Sequence, residues 1–102
     1  MMKPVQVVIG RGRGGSRPPL NAGTWGRFQS KISHFMAVRG EFYRVIEGLG
    51  IDEHGGAEQN STLLGSVNDD DLATFRHFLD TLRVEFDQVV ILLIVGELDV
   101  IA

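Results

Sequence analysis

The chain has 102 residues and a net charge of −3, with 43% hydrophobic and 23% charged side chains. That length and balance read as one folded domain, residues 1–102, and exclude a chain that is disordered throughout. Cysteine is absent, which excludes disulfides, thiolate catalysis and cysteine-bound metal.

Val5 to Ile9 reads as a short strand rich in branched side chains. Residues 10–19 follow as a Gly/Arg-rich segment closed by Pro18 and Pro19. Glycine adds backbone freedom there and proline removes a donor, so a flexible loop is expected. Trp25, Phe28, Ile32, Phe35 and Met36 recur at three- and four-residue spacing, the apolar stripe of an amphipathic helix. Asn21 or Thr24 is placed to cap its start, and Gly40 to end it. Arg27, Ser30 and Lys31 fall on the opposite face.

Glu41 to Glu47 predicts a second strand, Gly48 to Gly56 a glycine-rich turn, and Gln59 to Val67 a third strand, together a hairpin with a long tip. Asn68 and Asp69, Asp70 and Asp71 supply a cap and carboxylates for a second helix, whose stripe is Leu72, Phe75, Leu79, Leu82 and Phe86. Arg76 and Asp80 stand at pairing distance on its wet side. The last strand is expected over Val89 to Ile101, with both faces apolar from Val89 to Val95.

Strand, helix, strand, strand, helix, strand is the ferredoxin-like βαββαβ order of an α+β domain. Right-handed crossovers place both helices on one face of a four-stranded antiparallel sheet. The last strand would then lie at an edge beside the first. Its two apolar faces do not suit a sheet with one wet side. Val8, with Tyr43 and Val45 or Phe42 and Ile46, extends the apolar surface. A second copy of the chain, packed sheet on sheet, is the economical cover. The arrangement resembles the architecture of dimeric α+β barrel proteins in topology, and that resemblance supplies no functional residues.

Charge is segregated along the chain. Up to Ile51 there are eight basic and two acidic side chains; from Asp52 there are two basic and eleven acidic. An anionic partner or self-association is the expectation. Arg11, Arg13 and Arg17 in the loop, with Arg27 and Lys31 on the helix, form the candidate anion- and partner-binding set, because guanidinium groups fork onto phosphate or carboxylate. Alternatively the loop arginines pair with acidic residues of the same or a neighbouring copy. Gly10, Gly12 and Gly15 satisfy G-x-G-x-x-G, but prolines separate them from the helix, and no carboxylate follows at ribose-binding distance.

His34, His54 and His77 form no metal motif, so no metal and no cofactor are expected. No nucleophile–base pair is readable. Trp25, His34 and Tyr43 are candidates for a pocket between the first helix and the sheet, with His34 as its acid–base group.

The leading functional reading is a non-enzymatic, dimeric binding module that contacts an anionic protein, nucleic acid or phosphorylated ligand through the arginine loop. A small cofactor-free enzyme using the helix–sheet pocket is the alternative. A structural subunit that docks its basic half on another copy's acidic half is the third. No segment reaches the ~20 apolar residues that span a bilayer, and no signal-peptide core follows the N-terminus, so a cytoplasmic protein without membrane contact is expected.

Overall fold

The computed structural model describes residues 1–15, 17–51, 54–96 and 101. Its elements are β1 (Met2–Gly10), α1 (Ala22–Arg39), β2 (Gly40–Ile51), β3 (Ala57–Asn68), a 3-10 turn (Asp69–Asp71), α2 (Leu72–Glu85) and β4 (Leu92–Val95). The four strands form one sheet in the order β2–β3–β1–β4, with every neighbouring pair antiparallel. Both helices lie on the same side of it.

Alternation explains that side. Val5, Val7 and Ile9 of β1 and Leu63 and Val67 of β3 point into one core. Phe28, Ile32 and Met36 of α1 and Phe75, Leu79 and Leu82 of α2 meet them there. Each such side chain gains roughly 1.5–3 kcal/mol from burial. Phe86 stacks on Phe28 at 4.5 Å between ring centroids, and Phe35 packs on Phe75 and Phe78 at 4.9 Å each. The Asn21 side chain accepts the Thr24 N–H at 2.9 Å and caps α1. Asn68 does the same for Asp70 N–H at 3.2 Å.

The hairpin departs from the sequence reading. Strand β2 runs on through Gly48 and Gly50 to Ile51, because pairing with β3 persists to Ile51 and Ala57. The Asn60 side chain lies against both glycines, so their missing Cβ atoms are used for close approach and not for a turn. Asp52 and Glu53, expected at the tip, lie outside the described residues. A bulge between Phe42 and Arg44 breaks strict alternation. Phe42 and Val45 therefore both pack on the core, while Tyr43 and Ile46 are exposed on the other face. Neither alternating pair expected from the sequence is kept.

Strand β4 is shorter than expected: Val89 to Ile91 do not pair, and β4 meets β1 only over Leu92 to Val95. The chain leaving α2 is instead drawn toward the Gly/Arg loop. Gly14 N–H donates to the Asp87 carbonyl at 2.9 Å, and Gln88 Nε2 donates to the Gly12 carbonyl at 3.0 Å. The expected continuation from 97 to 100 lies outside the described residues.

Among the described residues no helix packs on the second face of the sheet. Pairing aligns Leu92, Val8, Thr62 and Ile46 in one row across four strands, and Ile94, Gln6, Leu64 and Arg44 in the next. Leu92, Ile46 and Ile94 are 52%, 49% and 48% exposed.

Candidate functional site

Arg13 and Arg17 converge on one carboxylate. Arg13 donates from Nε to the Pro18 carbonyl at 2.8 Å, and its Nη1 lies 3.6 Å from Asp87 Oδ2. Arg17 donates from Nε to the Gly14 carbonyl at 3.2 Å, and its Nη1 lies 3.0 Å from the same oxygen. A guanidinium has five N–H donors in a fixed plane. Two contacts orient each plane, and the Nη2 groups have no acceptor among the described residues.

Asp87 owes its place to the end of α2. It adopts a positive φ of 56°, the left-handed conformation in which Asp is tolerated better than most residues. That turn lets the Gln88 N–H reach the Arg83 carbonyl at 2.8 Å. Gln88 is itself buried, and its Nε2 bridges the Gly12 and Phe86 carbonyls at 3.0 and 3.2 Å. The end of α2 thus fixes the loop from one side.

The hairpin fixes it from the other. Arg11 donates from its backbone to the Gln59 carbonyl at 2.9 Å, from Nη1 to the Gln59 side chain at 2.8 Å, and from Nε to the Leu20 carbonyl at 2.6 Å. The Glu58 carboxylate lies across Gly10 and Gly12 and accepts the Gly12 N–H at 3.3 Å. Gly12 and Gly14 amides are therefore directed at protein oxygens. The G-x-G-x-x-G spacing builds a stapled loop here, not a phosphate cradle.

The loop, the hairpin residues Gly50, Ile51, His54, Glu58 and Asn60, and residues 88–90 and 92 border an open-mouthed cavity of about 450 Å³. Arg13, Arg17 and Glu58 line it, together with the apolar side chains of Val8, Val89, Val90 and Leu92. His54, at the hairpin tip, also faces it.

The remaining candidate residues are dispersed. Arg27 and Lys31 lie over the Phe86 ring at 5.7 and 5.9 Å, a cation–π arrangement. Lys31 also pairs with Glu85 at 3.0 Å. Both lie beside the end of α2, so the expected free basic face is not what forms. Asp80 pairs with Arg83 at 2.9 Å in place of Arg76. Trp25 is buried in the core, edge-on to Phe28 at 6.1 Å. His34 is exposed on α1, and Tyr43 lies on the opposite side of the sheet, bonded to Ser66 at 2.8 Å. These three do not meet, so the helix–sheet pocket expected from them does not assemble.

Asp87, Gln88 and Glu58 are the residues sequence reasoning missed. An Asp just past the last stripe residue is a local signal for a left-handed helix end, but nothing local says which cations it meets. Among the described residues no group of three or more His, Asp or Glu is placed to hold a metal ion, and no helix is long and apolar enough to cross a membrane. No protein-family model, curated protein or solved structure gives a significant match to the chain.

Proposed function

We propose that the chain is a ferredoxin-like, homodimeric binding module that contacts an anionic group through Arg13 and Arg17. The observation that carries this reading is the pair of guanidinium planes oriented by Asp87 and backbone carbonyls beside a cavity, each with an uncommitted amino group. Orientation in advance lowers the conformational cost of binding. The partner favoured is a compact anion, because the loop site offers two arginines beside one cavity. Phosphate tracking needs several available cations, whereas Arg11, Lys31 and Arg39 are each engaged with protein acceptors. Arg11 belongs to the scaffold of the loop and not to its binding set.

Dimerisation rests on the uncovered sheet face. Three strands about 4.8 Å apart pair over roughly nine residues and β4 over four, which presents on the order of 500 Å². A specific interface buries about 800 Å² per partner. The face supplies more than half of such an interface, its rim the rest, and the Leu92–Val8–Thr62–Ile46 row is apolar enough to need covering.

The enzymatic alternative is the weaker reading, since His34 is exposed on α1 and stands apart from Trp25 and Tyr43. Titration with inorganic phosphate, followed by the side-chain Nε–H resonances of the arginines, tests the anion contact. Arg13 and Arg17 are expected to shift together and saturably, while Arg11 stays still. Uniform small shifts at all arginines would refute it.

A further inference from the structure

The cavity beside the loop is built of two unlike parts. Its lining includes Arg13 and Arg17 on the one hand and the apolar Val8, Val89, Val90 and Leu92 on the other. Val89 and Val90 are 62% and 55% exposed, although they sit in a loop where polar side chains would serve equally well. Their exposure follows from Gln88, which pulls the chain toward the glycine loop and away from the β1 edge. The same contact that shortens β4 therefore creates the apolar surface beside the two arginines.

We infer that this cavity binds a small carboxylate carried on an apolar body, an inference that rests on the anion contact proposed above and names its ligand. A volume of about 450 Å³ suits such a molecule, because ligand pockets span roughly 300–1,000 Å³. The carboxylate takes the Nη2 donors of Arg13 and Arg17, where charge-assisted bonds are strongest. The apolar body lies on Val89 and Val90, which stand outside the Leu92–Val8 row assigned to the second copy. Two carboxylates set the charge limit: Asp87 pairs with both arginines, and Glu58 lies across Gly10 and Gly12 at the cavity. A multiply charged ligand meets more repulsion from both than a singly charged one, so a carboxylate is favoured over inorganic phosphate, which binds more weakly.

The test is displacement of 8-anilinonaphthalene-1-sulfonate from the full chain, followed by fluorescence. Sodium decanoate is the competitor, 1-decanol the same tail without the charge, and inorganic phosphate an anion without the tail. Decanoate is expected to displace the dye saturably at one site per chain, and decanol at least tenfold less well. The double variant R13Q/R17Q should lose about tenfold or more in decanoate affinity, the range for a charged hydrogen bond. Val89→Asp, at an exposed position where folding is undisturbed, should weaken decanoate as well, and circular dichroism establishes that both variants fold. Decanol competing as well as decanoate, or full affinity in both variants, overturns the inference. Phosphate shifting Arg13 and Arg17 while decanoate fails to bind overturns the ligand class and leaves the anion contact standing. Failure of both overturns the anion contact too.

Discussion

Arg17 and Asp87 meet at 3.0 Å, one from the basic half of the chain and the other from the acidic half. Lys31 with Glu85 and Arg39 with Asp71 repeat the relationship at 3.0 and 3.2 Å. The charge segregation seen along the sequence is thus partly resolved inside the fold, where α1 and the loop lie beside α2. Each of these pairs is partly exposed, so each contributes on the order of 0–1 kcal/mol. Their role is to orient side chains and fix the loop, more than to hold the domain together.

Asp87 separates charge from backbone geometry. Asp87→Asn keeps a residue that tolerates positive φ and removes the charge. It is expected to cost at most about 1 kcal/mol, with faster amide hydrogen exchange at Gly12 and Gly14. Asp87→Ala should cost about 1 kcal/mol more, since a left-handed Ala is strained. Urea unfolding of the two variants measures the difference.

Arg11 and Arg17 look equivalent in sequence and are not. Arg11→Ala leaves the Leu20 carbonyl and the Gln59 side chain without their half-buried donor, and a loss of roughly 1–3 kcal/mol is expected. Arg17→Ala should change stability by less than about 1 kcal/mol. Thermal unfolding of the single variants distinguishes them.

Gln88→Ala removes a buried amide that bridges the loop to the end of α2. It is expected to destabilise by roughly 1–3 kcal/mol and to loosen residues 10–15. Hydrogen exchange resolved to peptides should show that loosening there and not in α1.

Two glycines should answer a methyl group in opposite ways. A Cβ on Gly65 would fall onto the Glu41 carbonyl and within 2.8 Å of Met36 Sδ. Gly65→Ala is expected to cost about 1–3 kcal/mol through overpacking. Gly26 lies inside α1 with nothing within 4 Å of such a Cβ, and Gly26→Ala should stabilise by about 0.5–1 kcal/mol. Denaturant midpoints of the two variants settle both signs.

These contrasts show what the sequence can and cannot carry. The stripe Trp25, Phe28, Ile32 and Met36 and the stripe Phe75, Leu79 and Leu82 were legible because helical period is a local property, and both reach the core. The hairpin boundary was not, because Gly48 and Gly50 read as turn residues until Asn60 is seen against them. The bulge at Tyr43 was equally hidden, since Phe42, Tyr43, Val45 and Ile46 fit either alternation. Of the anion set, Arg13 and Arg17 lie together at the cavity, while Arg11, Arg27 and Lys31 are drawn to Gln59, Phe86 and Glu85. Those partners are distant in sequence, so residue type alone cannot separate a binding arginine from a stapling one.

Sedimentation velocity of the full chain, wild type beside Ile46→Lys and Ile94→Lys, most directly tests the idea of a module that works as a pair closed over its bare sheet face. The expected result is a dimer for wild type and a folded monomer for either variant, because Ile46→Lys places a charge in the Leu92–Val8–Thr62–Ile46 row and Ile94→Lys a second cation in the row that holds Arg44. A wild-type monomer at all concentrations, or dimers that persist unchanged in both variants, would contradict it.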